Sequence, residues 1–416
     1  MVAVPTGMQP VSTGYFLVGR EPTPAVVAPV LTAVKAKPFK PVNKYTWLED
    51  MSMWGDALEL HDMQQGPYWA ESEVPESPLY GDTFGHFLFN FFGDYYATGT
   101  GTTPTWTTTA APAAGGTVLT VGAGSTAVSG TFIQVDTSTN SEIVTVTTGS
   151  TGTTISINPN TPLRFNHGTA TTITTVVAPF SHTFATLNPN SSTGLTNCQP
   201  PTHTFAHYNY LPGSGGYYAD EFLYGCLSEL TITGKADGWM TWGCKLTSYG
   251  QSAPAGAITA SVSTVKGIPA WKSTSTEASS AVNDISMWTA TWSHKMDVIP
   301  TADGVQSPYF IGRGASTNSF KLTVDPAVDE TQLALMTGNT QPTLAWSVSN
   351  GLAGANLVSL AINSQLAGYQ DVPLEATKEF WGYSVTGKFV GSSTGAGNSG
   401  GRTYSQLVLT NAVPSY

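Results

Sequence analysis

Residues 217–250 (YYADEFLYGCLSELTITGKADGWMTWGCKLTSYG) alternate apolar and polar side chains on both sides of a short glycine-bounded turn. A period of two sends successive side chains to opposite faces of a strand, so the segment predicts an antiparallel hairpin with one apolar and one polar face. Cys226, Leu230 and Ile232 share the apolar face of the first arm, and Met240, Trp242, Cys244 and Leu246 that of the second. Leu227, Glu229, Thr231 and Thr233 take the polar face, with Thr241, Gly243, Lys245 and Thr247 beside them. The turn at 234–238 has glycine at both ends, where a positive φ is often needed. With Ile232 set opposite Met240, Thr231 faces Thr241 and Lys245 lies diagonal to Glu229. The same register makes Cys226 and Cys244 diagonal neighbours on one face. A slip of one residue would turn every side chain over, so register is well specified. Such an element needs a core on one side and water, or another subunit, on the other.

The rest of the chain has the composition of a β protein. Charged residues make up 10% of the 416 and hydrophobic residues 40%, which excludes a disordered chain and leaves little material for long solvated helices. Thr, Ser, Gly, Val and aromatics favour strands joined by tight turns. The net charge of −11 argues against electrostatic binding of nucleic acid, which needs clustered Lys and Arg. Three cysteines, Cys198, Cys226 and Cys244, are too few for a disulfide scaffold, and buried free thiols are favoured over a Cys226–Cys244 bridge. No apolar run is long enough to span a membrane as a helix. The first residues lack a basic start followed by an apolar core, so the expectation is a protein that works inside a cell or leaves by another route such as lysis.

Along the chain, seven prolines within residues 1–41 forbid a continuous helix and suggest an extended arm or a mobile terminus. Residues 45–60 and 66–76 read as strands. Residues 81–93 carry the best helix signal: Phe84, Phe87, Leu88 and Phe91 fall on one face, Asp82 is placed to cap, and Gly93 suits the stop. Residues 98–178 contain only Asp136, Glu142 and Arg164 as charges. Short alternating runs at 117–121, 131–135, 142–147, 153–157 and 171–177 predict a small inserted β-domain whose ends lie close together. Strands are expected again at 319–324, 344–348, 357–362, 379–385 and 403–410, with a helix from Asp325 to Met336 and a flexible loop at 391–401. The organisation is therefore 1–97 core, 98–178 insert and 179–416 core.

No catalytic constellation stands out. The sequence lacks a nucleophile elbow, a zincin helix and a phosphate-binding glycine loop. His203 and His207 share a strand face without a third ligand and read as structural, so no metal or cofactor is expected. Acidic groups at Glu71, Glu73 and Glu76, and at Asp220 and Glu221, supply the carboxylates of a glycosidase only in the sense that any acidic chain does. Trp239 and Trp242 point to opposite strand faces and do not form one sugar-stacking platform, although eleven tryptophans keep carbohydrate binding open as an alternative function.

Several segments in order resemble the major tail tube proteins of long-tailed, siphovirus-type phages, most like those of actinobacterial hosts. PLYGDTFGHFLFNFFGD at 78–94 resembles the family's short helix closing on Gly-Asp. His182-Thr183-Phe184, then Gln199-Pro200-Pro201-Thr202, resemble its H-T-F and Q-P-x-T stretches. The hairpin at 217–249 resembles the family hairpin, and Gly338-Asn339-Thr340-Gln341-Pro342 its N-T-Q-P turn. The insert at 98–178 departs from the simplest members, in which H-T-F follows the helix closely.

The resemblance implies a β-sandwich with a flanking short helix, whose inner strands join into a barrel across a hexameric ring. Rings would stack head to tail into a virion tail tube, assembled in the host cytoplasm, through which DNA is ejected without specific binding. Implied partners are the chain itself, a tape measure protein and tail terminator or tip proteins, with no membrane. The expected lumen-facing residues are Glu229, Thr231, Thr241 and Lys245, and the insert is expected on the tube exterior. A secreted or virion-borne carbohydrate-binding β-protein is the second reading and a hydrolase the third.

Overall fold

Alternating β-branched and aromatic residues leave few helical stretches, and the chain is mainly β, built on two large antiparallel sheets. A computed structural model describes residues 14–52, 60–149, 152–189, 199–211, 216–253, 262, 264–302, 304–325, 330–377 and 380–416. The first elements are β1 (Tyr15–Arg20), β2 (Thr32–Val34), β3 (Lys40–Asp50), β4 (Asp62–Pro78), α1 (Phe84–Phe92) and β5 (Gly93–Thr107). The middle of the chain adds β6 (Val118–Ser125), β7 (Phe132–Val135), β8 (Glu142–Thr148), β9 (Gly152–Ile157) and β10 (Thr172–Thr186). Then come β11 (His203–Leu211), β12 (Gly216–Lys235), β13 (Thr241–Tyr249), β14 (Thr274–Glu277), β15 (Ser280–Val282), β16 (Ile285–Ile299) and β17 (Phe310–Val324). The last are α2 (Thr331–Thr337), β18 (Leu344–Ser349), β19 (Ser359–Ser364), β20 (Ala367–Asp371), β21 (Leu374–Thr377), β22 (Phe380–Phe389) and β23 (Gln406–Asn411).

The long strand β12 organises the first sheet. Its first half pairs with β11 and its second half with β13, while β16 runs along the other side of that second half. The order there is β3-β4-β13-β12-β16-β17-β22, with β20 and β21 both closing on β22. The second sheet runs β15-β14-β18-β19-β23-β10-β7-β8-β9-β6, with β5 on β10. The inner faces of the two sheets share the main core. Trp288 of β16 stacks on Trp346 of β18 with ring centroids 4.8 Å apart, and Trp292 Nε1 donates to Ser405 Oγ at 3.1 Å.

Helix α1 is buried on nearly every side because it lies against both β12 and β10. Phe84 and Phe87 meet Trp242 at 5.4 and 4.4 Å, which fixes the hairpin's apolar face against the helix. The N-cap is Thr83 rather than Asp82, and it makes no side-chain cap bond; Gly93 ends the helix at φ 78° as expected. Gly85 leaves room for the Tyr416 ring, whose Cε2 would sit 2.1 Å from an added Cβ.

The insert has its own core of Leu119, Val121, Ile133, Val144, Ile155, Leu163 and neighbours, separate from the main one. Its neck is closed by Thr108 N–H donating to Thr171 O (2.9 Å) and Ala170 N–H donating to Thr108 O (2.8 Å). The expected edges at 98 and 178 fall inside β5 and β10, which continue from the main sheet into the insert through two register shifts, one at 177–180.

Three further expectations are revised. From Tyr15 onward the N-terminal segment is not an arm: Leu17 and Val18 are buried in the first sheet, while residues 1–13 lie outside the described residues. The loop at 391–401 is anchored rather than loose, because Asp94 accepts hydrogen bonds from Asn398 N–H (3.2 Å), Ser399 N–H (2.7 Å) and Ser399 Oγ. The second helix is described from Thr331, and residues 326–329 of its expected start lie outside the described residues.

Candidate functional site

The hairpin of β12 and β13 forms as its alternation requires, in a register displaced by two residues from the expected one. Thr233 faces Thr241, Thr231 faces Gly243 and Glu229 faces Lys245. A displacement of two preserves the face of each side chain, so the polar set survives, but it moves Glu229 and Lys245 from diagonal to directly opposed. Lys245 Nζ lies 3.0 Å from Glu229 Oε1, with the side chains 58% and 35% exposed. An ion pair this open contributes between zero and about 1 kcal/mol.

A bulge between Leu227 and Glu229 shifts parity below this point. Leu227, assigned to the polar face by strict alternation, is therefore fully buried in the main core. Cys226 turns to the opposite side, among Tyr224 and Ile311. The two cysteines consequently do not share a face. Both are buried free thiols, and burial pushes both thiol pKa values up; Cys198 lies outside the described residues.

The bulge is held by Asn90 of α1. Leu227 N–H donates to Asn90 Oδ1 (2.7 Å), and Asn90 Nδ2 donates to Gly225 O (2.8 Å) and Pro201 O (3.1 Å) and lies 2.9 Å from His203 Nδ1. The buried Arg313 guanidinium donates to Asn90 O and Pro200 O, while its backbone exchanges two 3.0 Å bonds with the Gln199 side chain. A second irregularity lies opposite β11, where Tyr224 takes φ 56°. Its N–H donates to buried Glu21 Oε1 at 2.8 Å. His182 joins the Tyr95 hydroxyl (3.0 Å) to Val413 O (2.7 Å). The motif residues singled out above are thus buried polar joints that satisfy backbone groups where the sheets are interrupted.

The polar face extends well beyond the hairpin. Thr231 and Thr291 hydroxyls lie 3.1 Å apart, Thr233 and Thr289 3.3 Å, and Ser293 and Thr317 2.8 Å, so hydroxyl pairs cross β12, β16 and β17. Thr241 donates to Glu76 of β4. A shallow concavity of about 220 Å³ on this face is lined by Glu73, Glu76, Glu229 and Lys245 among others, three carboxylates against one ammonium. Glu229, Thr231 and Thr241 are half-buried and Lys245 is exposed. All four expected residues therefore sit together on one wet face, opposite the main core.

The sheet branches at β12, one branch ending at β2, and the two margins that flank the polar face are apolar. Among the described residues, β3 pairs only with β4, and β20 and β21 only with β22. The β3–β4 margin exposes Val42, Tyr45, Trp47, Leu48 and Met63. The opposite margin exposes Leu374 (52%), Phe380 (64%) and Trp381 (62%). Open strand edges carrying exposed apolar side chains are aggregation-prone unless another chain covers them.

Among the described residues no group of three His, Cys, Asp or Glu could hold a metal ion, and no helix is long and apolar enough to cross a membrane. His203 is a buried joint whose pKa is driven well below its ordinary value by burial, with His86 and Arg20 adding to the shift. Trp242 is core and Trp239 is 54% exposed, on opposite faces as the spacing requires. Arg313 and Glu21 lie outside the motifs quoted above, and Asn90 lies within 78–94 with no role assigned by the sequence. A lone Asn within the apolar run HFLFNFFG was the signal available for Asn90. No protein-family model matches the chain, and no curated protein sequence matches it.

Proposed function

We propose that this chain is a structural subunit that assembles edge to edge into rings, and that the rings stack into a tube of the phage tail type. The observation that carries the reading is the pair of unlike, apolar, open margins on either side of one polar sheet face. Unlike edges associate head to tail, and a head-to-tail contact that closes on itself makes a ring. Joining β3 of one subunit to β20 and β21 of the next would continue the sheet around the ring and cover both of these open margins.

In that arrangement the face bearing Glu229, Thr231, Thr241 and Lys245 lines the channel. Its excess of carboxylates would repel phosphates, so DNA passes without adhering. The insert belongs to the other sheet, across the core from this face, and so lies on the exterior. Hexameric rings, a tape measure protein inside the tube, and terminator or tip proteins at its ends come from the family resemblance alone. Analytical ultracentrifugation of the full-length chain tests the reading. The wild-type protein is expected to sediment as rings or longer assemblies, and Phe380→Glu/Trp381→Glu to remain monomeric. A wild-type chain that stays monomeric at high concentration, or a double variant that assembles unchanged, contradicts it.

A further inference from the structure

A cavity of about 520 Å³ opens where the loop after β1, the start of α1, residues 158–162 of the insert and the C-terminal residues meet. Four of the residues that line it each carry a buried polar atom without a partner. Arg20 Nε, Asp82 Oδ1, His86 Nδ1 and Thr161 Oγ1 are all buried without a hydrogen bond, and all four residues line the cavity. The remaining wall is largely apolar, with Val30, Pro162 and Val413 among its members.

The Arg20 guanidinium is the outlying feature. It rests on the Phe89 ring at 5.2 Å, which it shares with Arg164 at 4.5 Å, so two cations meet one aromatic ring. Glu142 favours its charge from a distance, but neither nearby glutamate bonds it. Glu21 accepts from Ala25 N–H, Thr202, Thr204 and Tyr224 N–H. Glu142 accepts from Arg164 N–H and Phe165 N–H and lies 2.8 Å from His167 Nε2. Burial, with Arg164 second, lowers the Arg20 pKa to about 10. The Arg20 residue is half-buried, a cation with no directly bonded counter-charge is costly there, and a carboxylate is its natural complement. Asp82 forms no ion pair with Arg20 and needs a donor of its own.

We propose that this cavity binds an apolar group bearing a carboxylate at one end, held by Arg20, and an N–H donor at the other, held by Asp82. An indole-bearing acid has this chemistry and fits the volume. Two sources can supply it. One is a free small molecule. The other is a second copy of this chain, in which Trp47 and Glu49 share a strand face about 7 Å apart and are both exposed. The second source needs self-association through a contact other than the β3-to-β20 and β21 joint proposed above, and the first needs none.

Calorimetric titration of the dilute full-length chain with indole-3-propionate tests the site without assembly. Saturable binding of one molecule per chain is expected, with the neutral amide indole-3-propionamide at least about tenfold weaker, because it cannot form the charged pair. Arg20→Gln is expected to lose the preference for the acid. Val30→Trp, at a position 63% exposed and so tolerant of substitution, is expected to close the cavity and abolish binding. No saturable binding, equal affinity for acid and amide, or unchanged binding in V30W overturns the proposal; V30W serves even where Arg20→Gln does not fold. The sources separate on concentration. A site filled by another copy is blocked in concentrated wild-type protein and open in Trp47→Ala/Glu49→Gln, whereas a site for a free ligand takes the probe equally in both.

Discussion

Replacing Asn90 by leucine removes one side chain and leaves two backbone groups of β12 without it. The amide oxygen is the partner of Leu227 N–H at 2.7 Å, and the amide nitrogen donates to Gly225 O at 2.8 Å. Leucine is of similar volume and leaves little cavity, so the cost is that of buried polar groups left without partners, about 1–3 kcal/mol each. Two groups give a loss centred on about 4 kcal/mol. At about 2.1 cal/mol/K of unfolding entropy per residue, the 416 residues give about 0.9 kcal/mol/K, so Tm should fall by about 4–5 °C. Urea unfolding measures the loss, and hydrogen exchange at the Leu227 amide locates it. The bulge that turns Glu229 outward and Leu227 inward depends on these bonds, so the variant should also lose the polar-face register. A variant within about 1 kcal/mol of wild type, with the Leu227 amide protected as before, would refute the reasoning.

Other outcomes follow from the same structure. Burial lowers the His182 pKa from 6.5 to about 4. A group depressed in the folded state adds stability that is complete above pH 6.5 and lost as pH falls toward 4, by up to about 3 kcal/mol. His182→Gln should therefore show a weaker fall in urea midpoint between pH 7 and 4.5 than wild type. Buried Glu21 and Asp94, whose pKa values are raised, oppose this trend equally in both proteins. Gly85→Ala pushes a methyl into Tyr416 and should cost about 1–3 kcal/mol by thermal melting. Replacing 109–170 with a short Gly-Ser linker spans the neck closed by Thr108 and Thr171; it removes Ile143 and Arg164 from the edge of the main core, which should lower stability but leave the main core folded and ring formation intact by sedimentation. Glu229→Ala should change stability by less than about 1 kcal/mol in chemical denaturation, because its pair with Lys245 is open to water.

Local periodicity carried much of the architecture into the sequence. The insert's strands at 118–125, 132–135, 142–148 and 152–157 lie within a few residues of the alternating runs, because each strand has a buried and a wet face. The phenylalanine pattern of α1 and its Gly93 stop were equally legible. What escaped was set by distant partners. The bulge beside Ser228 is dictated by Asn90, more than a hundred residues away, and no local pattern announces it. The glycine-rich loop at 391–401 looks loose by composition, yet Asp94, about 300 residues earlier in the chain, ties it down. The hairpin register slipped by two because the turn is tighter than its glycines suggested, while face parity survived above the bulge. The four polar-face residues were therefore found, but not their extension through Thr289, Thr291 and Thr317 or the apolar margins that frame them.

Electron cryomicroscopy of the purified full-length chain at assembly concentration tests the central claim most directly. The account predicts rings in which the β3 margin of one subunit meets the β20 and β21 margin of the next, with Glu229, Thr231, Thr241 and Lys245 facing the channel and the insert outside. Discrete monomers, or rings that turn this polar face outward, would contradict it.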